Sequence, residues 1–233
     1  QKVRFPAGGQ VLSYFSDSFF RLWSKGLQMS IIPILHGMPG FTVYVTGFSL
    51  GGAIASLAAV QLSVNGYVPE DKLALYTYGQ PKVGDEEFAN VLKRFVPNSW
   101  RVVHNADAIA RLPPDALGYA HAPGEALYEW TNMKKGAFKI CTQPEDCASD
   151  KQTSFAAHEL YFGQQVDQWG RKSCWTQEQE NEMKTTAAAE TSETTTTPDD
   201  STTTEADTEL PSTTELASAE STTDETTETP TTP

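Results

Sequence analysis

The sequence predicts an α/β fold with a mainly parallel sheet, because short apolar strands alternate with helices along residues 1–184. Three β-branched or aromatic runs have strand character: FTVYVT at 41–46, KLALYTYG at 72–79 and SWRVVHN at 99–105. Helical patterns surround them, at 8–27, 51–66 and 84–96. A helix between two strands lets both run in the same direction, so we expect the three strands to be parallel neighbours.

Each predicted helix has its own signal. In the first, apolar residues recur at helical spacing: Val11, Phe15, Phe19 and Leu22. We expect its aromatic residues to form core, and Pro33 with the GMPG motif at 37–40 to end the segment. The second helix is rich in alanine and ends at Gly66, a common helix terminator.

The remaining segments of residues 1–184 are less regular. The third helix opens with Asp85 and Glu86, which interact favourably with a helix N-terminus. Residues 119–142 are predicted to form two extended segments joined by a turn near Lys135. Residues 154–163 are expected to begin a final helix.

Residues 185–233 differ in kind from the first 184. They contain 20 Thr, 5 Ser and 12 acidic residues, and no Lys, Arg or aromatic residue. Such a segment has too little apolar surface to form a core, so we expect a disordered tail. Its composition is typical of a mucin-like stalk open to O-glycosylation; the alternative is a plain acidic spacer.

The tail also explains the charge of the chain. The net charge is −13, but residues 1–184 hold 18 acidic and 17 basic residues and are close to neutral. The sequence contains no basic patch of the kind that binds nucleic acid, so we expect no nucleic-acid partner. No apolar run is long enough to cross a membrane.

The segment GFSLG at 47–51 is the main candidate for chemistry. It follows a predicted strand and precedes a predicted helix, which is the setting of a nucleophile elbow. The turn would lift the Ser49 hydroxyl above the sheet, Gly47 and Gly51 would leave room for the bend, and the helix N-terminus would favour an oxyanion. The alternative is a glycine-rich turn with an incidental serine.

A serine nucleophile needs a base, and the base needs an acid that orients it. Asp107 lies just beyond the 99–105 strand, where ligands bind in parallel sheets, whereas Asp115 lies farther out among prolines. Two histidines follow Asp107. His158 comes after a polar loop and is favoured as the base, while His121 lies in an extended run and is more typical of a packed side chain.

Four segments in order resemble the signature blocks of the fungal-lipase-like, or class 3, lipase family. They are VTGFSLGGAIASLAA, YTYGQPKVGDEEFA, RVVHNADAIARLPPDALGYAHAP and AAHELYFG, and the resemblance runs from about Phe5 to Cys174. It implies an α/β-hydrolase fold with Ser49 as nucleophile, Asp107 as acid and His158 as base. It also implies a triacylglycerol or another carboxylic ester as substrate, with no metal or cofactor.

The chain departs from the family pattern in two places. The family usually has His before the nucleophile, where this chain has Phe48. The family also has strands, a lid and one oxyanion donor ahead of the region that resembles residues 1–40. The resemblance therefore implies an N-terminally incomplete domain, with the backbone N–H of Leu50 as its one oxyanion donor and poor hydrolysis by the chain alone.

Three cysteines bear on location and cross-linking. Cys141 and Cys147 share one polar loop, CTQPEDC, and are expected to form a disulfide, while Cys174 is expected to pair with a cysteine upstream of Gln1. Cysteines and a stalk together favour a secreted protein.

The sequence leaves other functions open. Phospholipase and feruloyl-type esterase activities are alternatives, as is a lipid-binding protein that has lost turnover. Oligomeric state is not indicated.

Overall fold

A computed structural model describes residues 1–104, 106–129, 133–142, 147 and 153–171 of the 233-residue chain. The strands are β1 (Lys2–Arg4), β2 (Gln10–Leu12), β3 (Val43–Phe48), β4 (Leu73–Tyr78), β5 (Ser99–His104), β6 (Glu125–Tyr128), β7 (Lys139–Cys141), β8 (Leu160–Tyr161) and β9 (Gln164–Gln165). The helices are α1 (Ser13–Leu22), α2 (Gln28–Gly37), α3 (Leu50–Val64), α4 (Glu86–Phe95), α5 (Phe155–Glu159) and α6 (Val166–Arg171). The predicted tail at 185–233 and Cys174 lie outside the described residues.

The central sheet has five strands in the order β3-β4-β5-β6-β7. The first four are parallel and β7 is antiparallel to β6. The α/β fold is therefore confirmed, and β6 adds a fourth parallel strand to the three that the sequence predicts. The two extended runs expected at 119–142 are β6 and β7.

The sequence predicts a single helix at 8–27, and this prediction is wrong. Gln10–Leu12 form β2, which pairs with β1, and α1 begins only at Ser13. The reason lies in Gly8 and Gly9, whose φ angles of 121° and 72° turn the chain back on itself. Gly26, at φ 130°, interrupts the helical path again before α2.

Helix α2 contains Pro33, so the expectation that Pro33 helps to end this segment is wrong. The helix ends at Gly37, the first residue of the GMPG motif, as predicted. No residue of α2 is fully buried, although part of its apolar face packs on the core.

Helix α3 forms the centre of the main core. Ala53, Leu57 and Val60 are fully buried on it, in one cluster with Phe5 and Phe19. Small alanine side chains let the helix axis lie close to β3 and β4. The prediction that the aromatic residues of α1 are core holds for Phe15 and Phe19, whereas Tyr14 is 59% exposed. The apolar Leu22, part of the same helical pattern, is 54% exposed.

Helix α4 begins as the sequence predicts. The Asp85 side chain caps it by accepting a hydrogen bond of 2.9 Å from the backbone N–H of Phe88. The same carboxylate accepts a hydrogen bond from the N–H of Gln10 in β2. Asp85 therefore has a structural role in joining β2 to α4.

The end of the described region departs from prediction. Helix α5 covers only Phe155–Glu159, and the chain then forms the β8–β9 hairpin before α6. Phe162 and Gly163 have φ angles of 53° and 75°, so the chain turns there and cannot continue as a helix. In the described part of the chain, no helix is both long and apolar enough to cross a bilayer.

A buried ion pair joins β5 to β6. The Arg101 guanidinium lies 3.1 Å from Glu125, and the two side chains are 5% and 3% exposed. Arg111 approaches the same carboxylate at 3.9 Å. Burial lowers the pKa of Arg101, and the neighbouring Glu125 carboxylate opposes this effect. Losing Glu125 would leave a buried cation without its partner.

We therefore predict that Glu125→Gln destabilises the fold by about 3–5 kcal/mol, the usual cost of breaking a buried pair. Asp115→Asn is the matched control, because Asp115 pairs with Lys82 from a side chain that is 83% exposed. A solvated carboxylate contributes about 1 kcal/mol or less to such a pair. The buried Lys82 also keeps its hydrogen bonds to the carbonyls of Arg111 and Pro113. Urea unfolding of both variants measures the difference, and equal losses would contradict it.

Candidate active site

The turn between β3 and α3 holds Ser49 in a strained conformation. Its φ and ψ are 55° and −125°, a region that side-chain-bearing residues rarely adopt. The strain is held by hydrogen bonds on both sides: the N–H of Ser49 donates to Tyr78 at 2.9 Å, and its carbonyl accepts from Gly52 at 3.0 Å. This is the geometry of a nucleophile elbow.

The glycines of the elbow do not contribute equally. A Cβ on Gly47 would lie 2.2 Å from the carbonyl oxygen of Gly51, so only glycine fits there. A Cβ on Gly52 would lie 3.1 Å from both the Gln80 side chain and the Gly47 oxygen. A Cβ on Gly51 would meet no atom within 4 Å, so the expectation that Gly51 makes room for the bend is wrong.

The structure brings together the three residues that the sequence selects. Nε2 of His158 lies 2.8 Å from Oγ of Ser49. Nδ1 of the same ring lies 3.0 and 2.9 Å from the two carboxylate oxygens of Asp107. One imidazole therefore joins the hydroxyl to the carboxylate, although Ser49 and His158 are 109 residues apart.

Sheet topology explains this meeting. Phe48, Tyr78 and His104 are the last residues of three adjacent parallel strands. Ser49 and Asp107 follow two of these ends, and carboxyl ends of parallel strands share one edge of a sheet. The strand assignment therefore places the hydroxyl and the carboxylate at the same edge.

The Asp107 carboxylate is fully buried and highly hydrogen-bonded. Besides His158, it accepts hydrogen bonds from the N–H groups of Ile109 and Ala110 and, at 2.7 Å, from the Tyr161 hydroxyl. Burial acts to raise the pKa of Asp107, but the hydrogen bonds from His158 and Tyr161 lower it overall. Asp107 is thus held as an anion.

Tyr161 is a supporting residue that sequence reasoning missed. Its hydroxyl donates to Asp107 and accepts a 3.2 Å hydrogen bond from the N–H of His104. Burial, together with the adjacent Asp107 charge, raises the pKa of Tyr161, so the phenol keeps the proton that it donates. Its position three residues after His158 gives no periodic signal, because α5 has ended between them.

The segment that carries His158 is tied to the loop that carries Asp107. Backbone hydrogen bonds connect Ser154 to Ala106 and Ala108, at 2.8 and 3.2 Å. Nδ1 of the buried His104 donates to the carbonyl of Ala157 at 2.9 Å. These contacts fix the approach to His158 without involving its ring.

Phe48 lies against the face of His158. The two ring centroids are 4.7 Å apart and the rings are inclined by 20°, which is a stacked arrangement. The Phe48 and Tyr161 rings make a T-shaped contact, with centroids 5.5 Å apart and planes inclined by 75°. The departure from the family pattern therefore lies in direct contact with the histidine of the site.

The other acidic and histidine candidates lie elsewhere. His121 is buried and donates from Nε2 to the carbonyl of Ala110 at 2.7 Å. Its burial, together with the Arg101 charge, holds its pKa well below the ordinary value, so it is a neutral structural residue. Asp115 is an exposed partner of Lys82.

The remaining site predictions can be placed as well. Leu50 is the first residue of α3, where a backbone N–H has no partner within the helix. The predicted disulfide between Cys141 and Cys147 is present, with Cα atoms 5.7 Å apart. Within the described ranges, no group of three or more His, Cys, Asp or Glu side chains could hold a metal ion.

Comparison with known proteins gives the family. Residues 1–117, half of the chain, match the family model described as lipase (class 3). The chain belongs to the class 3 lipase family. It is 36% identical over 174 residues to a lipase of Rhizomucor miehei, a match that covers 69% of this chain and 46% of that protein.

Two further relatives of this family member differ in origin and coverage. The secreted mono- and diacylglycerol lipase 1 of Fusarium solani is 46% identical over 130 residues, 53% of this chain and 38% of that protein. Lipase ZK262.3 of Caenorhabditis elegans is 30% identical over 200 residues, 71% of this chain and 56% of that protein. The chain spans about half the length of the curated relatives it matches.

Solved structures confirm the α/β-hydrolase fold of this family member. The lipase of Rhizopus microsporus var. chinensis superposes with a TM-score of 0.64 and 29% identity, over 71% of this chain and 59% of that chain. A triacylglycerol lipase described as having a serine protease triad at its catalytic centre superposes with a TM-score of 0.62 and 30% identity, over 70% and 63%.

Gly79 gives the first prediction for this site. It follows β4 at φ 56°, and a Cβ there would lie 2.8 Å from Oδ2 of Asp107 and 2.9 Å from Nδ1 of His158. Gly79→Ala should displace this pair and reduce turnover of a short-chain ester by about 100-fold, as misplacement of about 1 Å can. Initial-rate kinetics on the soluble variant measure the effect.

Gly66→Ala is the control for Gly79→Ala. Gly66 has a similar φ of 69°, but a Cβ there would meet nothing within 4 Å. It should cost about 1–2 kcal/mol of stability for the left-handed backbone while keeping turnover. Equal turnover in the two variants would show that the space above Gly79 is not needed.

The lowered pKa of Asp107 makes the free energy of unfolding depend on pH. Its folded-state pKa lies below its ordinary value of 3.8, so its stabilising contribution is present above pH 3.8 and is lost as pH falls through the folded-state pKa. Asp107→Asn should therefore lose less free energy of unfolding between pH 5 and about pH 2 than the parent. Parallel curves from urea unfolding at each pH would refute this.

Proposed function

We propose that this protein is a serine ester hydrolase that acts on acylglycerols. The observation that carries the proposal is the continuous contact from Oγ of Ser49 through the His158 ring to the buried Asp107 carboxylate. Serine, histidine and aspartate in this arrangement are able to activate a hydroxyl as a nucleophile. Family membership supports the same assignment.

The first half-reaction forms an acyl-enzyme. Oγ of Ser49 attacks the ester carbonyl carbon while Nε2 of His158 takes the hydroxyl proton. Asp107 accepts the hydrogen bond from Nδ1 and stabilises the imidazolium. When the tetrahedral intermediate collapses, His158 gives its proton to the departing alcohol and the acyl group stays on Ser49.

The second half-reaction releases the acid. Nε2 of His158 takes a proton from water, and the resulting hydroxide attacks the acyl carbonyl. Collapse returns the proton to Oγ of Ser49 and frees the carboxylic acid. In both halves the backbone N–H of Leu50, at the positive end of α3, donates to the oxyanion.

Exposed apolar side chains near the triad support a lipid ester as substrate. Phe155 lies one helical turn before His158 and is 64% exposed, and Phe162 is 47% exposed beside Tyr161. Such side chains favour contact with acyl chains or with a lipid–water interface. Relatives named as lipases, one of them a mono- and diacylglycerol lipase, support the same substrate class.

We place this activity outside the cell. The Cys141–Cys147 disulfide is typical of an oxidising compartment, and one relative is named as secreted. No metal or organic cofactor is needed for the chemistry, because the proton and the acyl group are handled by Ser49 and His158 alone.

Substitution of Ser49 and His158 tests the proposal. Ser49→Ala and His158→Ala should each reduce kcat for a short-chain ester by about 10³-fold or more, because each removes one essential step. His36→Ala and Ser30→Ala are matched controls on exposed residues of α2 and should keep the parental rate. A loss below tenfold in Ser49→Ala would overturn the assignment of Ser49 as nucleophile, whereas a folded parent without measurable turnover would leave a lipid-binding role.

A further inference from the structure

The His158 ring is held at its edges and on one face by different groups. Asp107 contacts the Nδ1 edge and Ser49 contacts the Nε2 edge. Phe48 covers one face, with ring centroids 4.7 Å apart. Two of these contacts come from the turn at the end of β3, through Phe48 and Ser49, and the third comes from the loop after β5, through Asp107.

The two hydrogen bonds leave one motion of the imidazole weakly restrained. They act on opposite edges of the ring, so a tilt of the ring plane about the line between the two nitrogens changes neither distance at first order. A contact on the face of the ring opposes that tilt directly. Phe48 makes such a contact, and the Tyr161 ring packs against Phe48 in a T-shaped arrangement.

We propose that Phe48 is a positioning residue that holds the plane of the His158 ring during proton transfer. This inference rests on the proposed hydrolase function. Phe48 and Ser49 are consecutive, so a single segment sets both the nucleophile and the face on which the base rests. The strained turn at Ser49 keeps these two contacts in a fixed relation.

The stacking also carries an electrostatic consequence. The face of a phenyl ring is negative and attracts a cation placed over it. His158 becomes an imidazolium only as the reaction proceeds, so Phe48 interacts more strongly with the transition state than with the ground state. Its loss should therefore lower kcat and leave KM nearly unchanged.

Phe48→Leu and Phe48→Tyr separate this role from simple packing. Leucine fills the space with an apolar group but has no ring face, whereas tyrosine keeps the ring. We expect kcat to fall about 3- to 10-fold in Phe48→Leu, the range of an aromatic pair, with KM within about twofold. Phe48→Tyr should return kcat to within about twofold of the parent.

Phe138→Leu is the matched control. Phe138 is 43% exposed and packs against Tyr128, away from His158 in the contacts described. It should keep both kcat and KM. Thermal unfolding of every variant corrects the rates for the folded fraction. If Phe48→Leu and Phe48→Tyr have equal kcat, or if the loss follows the folded fraction alone, the positioning role is refuted.

A spectroscopic measurement tests the stacking without turnover. In a Ser49→Ala background, the carbon-bound protons of His158 should show an upfield ring-current shift that Phe48→Tyr keeps and Phe48→Leu removes. Unchanged His158 shifts in Phe48→Leu would overturn the inference even if the parent is active. An inactive parent with the shift present would instead refute the hydrolase proposal and leave the stacking intact.

Discussion

The close approach of Gly47 to the first turn of α3 is the constraint on which the site depends. A Cβ at position 47 would lie 2.2 Å from the Gly51 carbonyl, so the sharp turn from β3 into α3 requires glycine there. That turn forces Ser49 into its strained backbone and directs its hydroxyl toward His158. The alanine-rich face of α3, buried against the sheet, supplies the packing that holds the strain.

The second constraint is the buried Asp107 carboxylate, which joins its own loop to the segment that carries His158 and Tyr161. The carboxylate accepts hydrogen bonds from its own loop, from His158 and from Tyr161, and it is fully buried. A buried anion with this many donors is costly to move or to protonate. Helix α5, which carries His158, is preceded by Ser154, and Ser154 is hydrogen-bonded to the loop of Asp107. Base and acid therefore form one unit that meets the elbow at Ser49.

Sequence patterns predict those site residues whose position depends on neighbouring elements of the chain. Strand, glycine turn and helix identify Ser49, and strand ends identify Asp107. The choice of His158 over His121 rests on loop context, and the structure explains it, because His121 is buried and its ring donates to the Ala110 carbonyl. Tyr161, Gly79 and the stacking of Phe48 were not predictable, because each depends on distant segments meeting at one edge of the sheet. The single helix predicted at 8–27 fails for a local reason, the left-handed glycines at positions 8 and 9.

Covalent labelling tests most directly whether Ser49 is an activated nucleophile. The chain is treated with a fluorophosphonate ester, and the modified peptide is identified by mass spectrometry. We expect one phosphonylated residue, Ser49, and we expect labelling to be lost in Ser49→Ala and strongly slowed in His158→Ala. Labelling of another serine, or equal labelling of Ser49→Ala and the parent, would contradict this expectation.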